Sequence, residues 1–231
     1  IRDIVVTGVQ TCALPILQGA FGALTVTMKL FPAIVTLHLI GGLVLLALLC
    51  VQAVRHTHSA QGRSPAALSP VLRWGLVLTT LLLALQVVLG GWVSTNYAVL
   101  ACTTFPTCQG SWWPAMDFAQ GFQIWRKLGM LQDGSHISFA ALTAIHYVHR
   151  LMAYVVLLAL GLVAWRFHRN GVLPTQARWI GGLALLQATL VCAGDILFFG
   201  IQCDNPLQFV LAGWVASLVF SNIVYTLTVS F

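Results

Sequence analysis

The amino-acid sequence predicts an all-α fold, a polytopic bundle of about five to six transmembrane helices. Of its 231 residues, 59% are hydrophobic and only 7% are charged, and the mean hydropathy is +0.91. Soluble domains carry about 25% charged residues, so this composition indicates a membrane protein. Apolar stretches near the roughly 20 residues that a membrane-spanning helix needs recur along the chain, separated by polar segments.

The N-terminal part of the chain is predicted to contain the end of one membrane helix and the whole of the next. Residues 1–16 show neither a strong period nor a convincing cap, and Pro15 would disturb a helix there. The segment 17–53 begins with LQGAFGALTVTM, typical of the end of a membrane helix with small residues for close packing. A tight turn at 29–32 precedes a helix at about 33–53. The following segment, 54–73, contains Ser, Pro and Gly and is predicted to be a linker.

The rest of the chain, 74–192, contains further membrane helices around a long polar segment at 94–135. These helices are predicted at 74–93, 139–165 and 179–192. The C-terminal segment 193–231 is atypical, because Asp195 lies within an otherwise apolar stretch. A carboxylate there indicates either a functional intramembrane group or an interrupted helix, and we favour the interruption.

The distribution of charge predicts the orientation in the membrane. The net charge of +6 would suggest a nucleic-acid ligand in a soluble protein. Here the arginines cluster in two short segments without acidic residues, 54–73 and 166–178, which the positive-inside rule places in the cytoplasm. We therefore expect no nucleic-acid partner. There is no Glu in the chain, which excludes acid–base chemistry by a glutamate.

The central helix carries polar residues that are costly in a bilayer. His146, His149 and Arg150 lie near its middle, where a charged side chain costs about 2.5 to 3.5 kcal/mol on insertion scales. A histidine beside a buried arginine suggests a ligand that is metal-centred and anionic, and haem fits: imidazole binds iron and guanidinium meets a propionate. The alternative is a polar pair that is bonded to neighbouring helices.

Other polar residues support less specific interpretations. His146 and His149 share a helical face, so they cannot be the two opposite axial ligands of one iron, and one of them should support or pack. His38 lies in the preceding apolar helix, where a hydrogen-bonded packing role is the commoner one. Cys102 and Cys108 lie in the outward segment, where oxidation is permitted. A disulfide would stabilise this loop by about 2 kcal/mol, and free thiols or a metal pair are the alternatives.

Three segments together resemble the haem A synthase family. They are LQGAFGALTVTMKLFPAIVTLHLIGG, LGGWVSTNYAVLACTTFPTCQGSWWP and HISFAALTAIHYVHRLMAYV, and the resemblance covers about Leu17 to Thr189. It implies eight membrane helices in two four-helix halves, each half with an outward cysteine pair and two facing histidines. It also implies oxidation of a methyl group of haem O to the formyl group of haem A, with haem b as cofactor.

The resemblance assigns roles to particular residues. His38 matches a ligand on the haem O side, and His149 matches an axial ligand of haem b, with Arg150 nearby for a propionate. Cys102 and Cys108 match the cysteine pair of the second half. The implied setting is a bacterial-type inner membrane, with the lipid bilayer, haem O synthase and a second copy of the chain as candidate partners.

Departures from the family pattern predict a partial chain. The first two helices are absent, together with the first cysteine loop, one substrate-side histidine and a glutamate. The pattern is lost after about Thr189, and no histidine follows His168. We therefore expect haem to bind weakly through one protein ligand, and the chain alone to make no haem A. The alternative function is a non-enzymatic b-type cytochrome-like protein, and a small transporter is a more distant one.

The charge pattern makes the topology testable. The loop 96–138 contains two basic and two acidic residues. We expect Ser111→Cys in this loop to react with a membrane-impermeant maleimide added outside, because the arginine-rich segments hold the opposite ends of the helices in the cytoplasm. Ser64→Cys in the linker is the control and should react only after the membrane is opened. Labelling of Ser111→Cys from the cytoplasmic side alone would contradict this topology.

Overall fold

Helices dominate the computed structural model, which describes residues 2–62, 67–171, 174–199 and 202–203. The all-α prediction is confirmed for this part of the chain. The helices are α1 (Arg2–Thr27), α2 (Pro32–Ala60), α3 (Pro70–Thr95), α4 (Phe118–Gly121), α5 (Phe139–Asn170) and α6 (Pro174–Phe199). A 3-10 turn spans Ala98–Ala101, and the two-residue strand β1 (Thr104–Phe105) pairs in parallel with β2 (Gln202–Cys203).

The ends of α3 and α5 follow from local sequence. Ser69 and Ser138 are their N-caps, and each hydroxyl accepts a hydrogen bond from the backbone N–H three residues later, at 3.4 and 3.2 Å. Pro70 suits the first position of α3, because a proline has no N–H that needs a partner. Gly171 ends α5 with φ of +62°, a left-handed conformation that glycine adopts without strain.

Three predicted boundaries are wrong. α1 runs without a break through Pro15, so residues 2–16 are helical. Prolines are tolerated in membrane helices when the freed backbone groups find other partners. α2 extends to Ala60, so His56 and His58 lie in its last turns rather than in a linker loop. α6 continues through Asp195 to Phe199, so the predicted interruption is absent from its backbone.

The core lies between α5 and its neighbours. α5 packs against α3 and α6, and α2 packs against α1 and α3. One cluster joins the middle of α3, α5 and α6, and a second joins α3, α5 and α6 nearer the linker. A third lies at the other end, where the α1–α2 turn meets α3 and α5. Its buried members are Phe31, Ala33, Ile34, Trp92, Val93, Ala98 and Ile145.

The helices agree with a multi-pass membrane protein. Within the described residues, α2, α3 and α5 are long and apolar enough to cross a bilayer. The apolar part of α1, Ala13–Thr27, is shorter. The predicted total of five to six membrane helices stays a prediction.

Candidate functional site

His149 is held between a glutamine and a glycine of α3. The side-chain nitrogen of Gln86 lies 3.1 Å from Nδ1 of His149, 3.4 Å from Nε2 and 3.3 Å from the backbone oxygen of the same histidine. Gly90 faces the edge of the ring, where a Cβ would lie 3.0 Å from Cε1. The imidazole therefore fits against α3 because residue 90 has no side chain.

His38 has the same kind of surroundings on another helix pair. The side-chain nitrogen of Gln18 on α1 lies 3.0 Å from Nδ1 of His38 and donates to its backbone oxygen at 2.6 Å. A Cβ at Gly22 would lie 3.1 Å from Cε1 of His38. The Gln18 amide itself lies against Gly41 and Gly42, where added Cβ atoms would crowd it.

The two arrangements share a short sequence pattern. Leu-Gln-x-x-x-Gly occurs at 17–22 on α1 and again at 85–90 on α3. Residues four apart lie on one helical face, so the glutamine and the glycine of each segment meet the same histidine. Gln18 and Gln86 were not predicted from the sequence, although the pattern that contains them occurs twice in it.

A cavity opens beside His38. It has a volume of about 450 Å³, within the range of about 300 to 1,000 Å³ that is usual for ligand pockets. Its lining is mostly apolar, with His38 and Gln18 on one side and the C-terminal end of α3 on the other. The lining residues are Gln18, Val35, His38, Leu39, Gly42, Leu43, Gly91, Ser94 and Thr95.

His146 has a partner at each ring nitrogen. Its Nδ1 lies 3.0 Å from the backbone oxygen of Ala98, which can only accept, so Nδ1 carries the proton. Its Nε2 lies 3.5 Å from Nη2 of Arg150, and the side chain is 9% exposed. These contacts hold the His146 ring between the Ala98 carbonyl and Arg150, and the supporting role of one of the two histidines stays a prediction.

Arg150 contacts the loop between α3 and α5. Its Nη1 donates to the backbone oxygens of Thr104 and Thr107, both at 2.7 Å, and its guanidinium lies 5.5 Å from the ring centre of Phe105. The sequence predicts a propionate as the partner of this cation. The hydrogen bonds to the two loop carbonyls were not predicted from the sequence, and the propionate contact stays a prediction.

The loop that Arg150 binds is closed by the cysteine pair. Cys102 and Cys108 are joined by a disulfide and are fully buried against Tyr147. The Tyr147 hydroxyl donates to the backbone oxygen of Trp112 at 2.7 Å. The Gln109 amide donates to the hydroxyl of Thr143 at 2.9 Å. α5 therefore binds this loop through a row of polar side chains.

A second buried arginine lies in the same polar segment. Arg126 is 3% exposed, its Nη2 donates to Oδ1 of Asn96, and its guanidinium lies 5.7 Å from the ring centre of Trp92. Burial away from water lowers the pKa of Arg126, because the charged form is the one that loses hydration. This residue, which fixes the segment to the C-terminal end of α3, was also not predicted from the sequence.

The side chains fit a haem better than a directly bound metal ion. Among the described residues, no group of three His, Cys, Asp or Glu side chains is placed to hold a metal. Haem iron needs only axial protein ligands, and His38 and His149 each offer a partly buried imidazole. The buried Oε1 of Gln86 has no hydrogen-bond partner within the described part, so it can still accept the ring proton of a ligating histidine.

These features define a helical membrane protein with two glutamine-contacted histidines and a disulfide-closed loop. Comparison with known sequences gives its family: residues 3–197 match the COX15-CtaA model, described as cytochrome oxidase assembly protein, and the chain belongs to this family. The match extends beyond both limits of the resemblance, Leu17 and Thr189.

A curated relative is the haem A synthase of Shewanella oneidensis, 34% identical over 173 residues. These cover 75% of this chain and 52% of that protein, so the chain spans about half the length of its relative. No solved structure matches the chain significantly. Nothing in the matches supports the electron-transfer cytochrome alternative.

The hydrogen bonds of Arg150 predict that replacing this residue lowers the stability of the fold. We expect Arg150→Met to lower the free energy of unfolding by about 2 to 4 kcal/mol, because two buried carbonyls lose charge-assisted hydrogen bonds. Thermal unfolding in detergent measures this. Arg169→Met is the control, since Arg169 is an exposed arginine at the end of α5. Equal melting temperatures for the two variants would contradict the proposed anchoring.

Proposed function

We propose that this chain acts in haem A synthesis, as part of an enzyme that oxidises a methyl group of haem O to the formyl group of haem A. Its membership of a cytochrome oxidase assembly family supports this, as does the likeness to a haem A synthase. The observation on the molecule that carries the proposal is the pair of histidines, His38 and His149, each placed between a glutamine and a glycine inside the membrane helices.

The two histidines have separate roles in this proposal. His38 holds haem O, because it lines a cavity large enough for part of a large apolar ligand. His149 holds haem b, whose iron, when bound, supplies the redox chemistry. Arg150 positions the disulfide loop above α5, and any contact with a propionate would add to that role.

The setting follows from the same proposal. Haem O is apolar and the candidate site lies among membrane helices, so transfer within an inner membrane from haem O synthase is a direct route. α2 leaves many large apolar side chains exposed along its length, which suits contact with lipid or with a second copy of the chain. The class of reaction is that of an oxidoreductase.

Haem binding by His149 is the first test. We expect the purified chain to bind added haem weakly, and His149→Ala to bring the haem absorbance close to background, because the strongest iron ligand is removed. His38→Ala should reduce binding of added haem O. His56→Ala, an exposed position at the end of α2, is the control and should match wild type. Full haem content in His149→Ala would remove the ligand assignment.

The redox state of the cysteine pair is the second test. We expect Cys102 and Cys108 to be oxidised to one another in the native membrane, because the loop is predicted to face an oxidising compartment. Mass spectrometry of unreduced peptides, after alkylation of the denatured protein, measures this. Cys50 is a free thiol and serves as the control that is alkylated without reduction. Alkylation of Cys102 and Cys108 without prior reduction would contradict it.

A further inference from the structure

The contact between Gln86 and His149 bears on which ring nitrogen of His149 carries the proton. A neutral imidazole that binds iron through Nε2 must carry its proton on Nδ1, and that proton needs an acceptor. The Gln86 side chain lies within hydrogen-bond distance of Nδ1, with its nitrogen 3.1 Å away, and the same nitrogen lies at the longer distance of 3.4 Å from Nε2. The nitrogen of an amide can only donate, so this orientation suits a histidine protonated on Nε2.

Gln86 can also provide the acceptor. Its side chain is 4% exposed, and its Oε1 is buried without a hydrogen-bond partner among the residues that the structure describes. The oxygen and the nitrogen of an amide exchange places by a half-turn of the terminal group, and either can face a neighbour. A half-turn would bring Oε1 to Nδ1 and give this orphaned oxygen a donor.

We propose that Gln86 is a positioning residue for His149, whose amide oxygen accepts the Nδ1 proton when Nε2 binds haem iron. This inference rests on the proposed function. It adds a residue on α3 to the ligand site, whereas the ligand itself lies on α5. Gly90 completes the arrangement by leaving room for the ring edge, so α3 fixes both the direction and the protonation of the ligand.

The surroundings of His38 and His146 differ from those of His149, so the proposal applies to Gln86 and His149. At His38 the Gln18 nitrogen is held by the histidine's own backbone oxygen at 2.6 Å, so a half-turn would bring two oxygens face to face. At His149 the same contact is 3.3 Å, a weaker bond that is easier to give up. His146 already donates its Nδ1 proton to Ala98 and needs no such partner.

The test uses the whole chain purified with haem, and compares Gln86→Leu with Gln86→Glu. Leucine keeps the approximate size without an acceptor, so we expect haem affinity to fall by about 10- to 100-fold, as for other partners of metal ligands. The reduction potential of the haem that remains should rise, because the imidazole donates less charge to iron. Glutamate keeps an acceptor and should retain haem with a lowered potential.

Controls separate this role from a structural one. Thr79→Val on the same helix removes a buried hydrogen bond to the Gly75 oxygen, 2.8 Å long, and should leave affinity and potential unchanged. If Gln86→Leu does not fold, Gln86→Glu carries the test, and an unchanged potential there overturns the proposal. Weak binding in Gln86→Leu with no change of potential in either variant also overturns it. A wild-type chain that binds no added haem would overturn the proposed function and this inference together.

Discussion

The absence of water from the bilayer core is the constraint on which this structure depends. A polar group inside the membrane must find its partner within the protein. Arg150 lies 11 residues into α5, about 16 Å from its start at 1.5 Å per residue. Loop carbonyls reach it there, and Thr143, His146 and Tyr147 on the same side of α5 bind other parts of that segment. The loop therefore packs onto α5 instead of extending into solvent.

α3 lies between His38 and His149, and its two neighbouring glycines let each histidine region come close to the helix backbone. Gly90 faces His149, whereas the next residue, Gly91, lines the cavity beside His38. Successive residues of a helix are about 100° apart, so neighbouring glycines open two different sides of the same turn. Two imidazole-bearing regions can then share one helix, each close to the backbone of α3.

The sequence predicts the helices and the histidines better than it predicts their partners. Hydropathy places α2, α3 and α5, because the bilayer imposes a length and a composition on each. The continuation of α1 through Pro15 is not readable from the local sequence, because a proline lowers helix propensity without determining where a membrane helix ends. The carbonyls that meet Arg150 and the glutamine that meets His149 were missed for a common reason: in each case the partner lies more than 40 residues away in sequence. Local spacing carries no signal for such a contact.

The loop and the histidine site are coupled through the rotation of α5. His149 and Arg150 are adjacent, so their side chains leave the helix about 100° apart. Once Arg150 is bonded to the oxygens of Thr104 and Thr107, α5 cannot turn about its axis without breaking those bonds, and His149 is directed at α3. The disulfide between Cys102 and Cys108 encloses both of these carbonyls in one short ring of chain. By limiting the shapes of that ring, it limits the rotation of α5, and so contributes to the position of an imidazole that it does not touch.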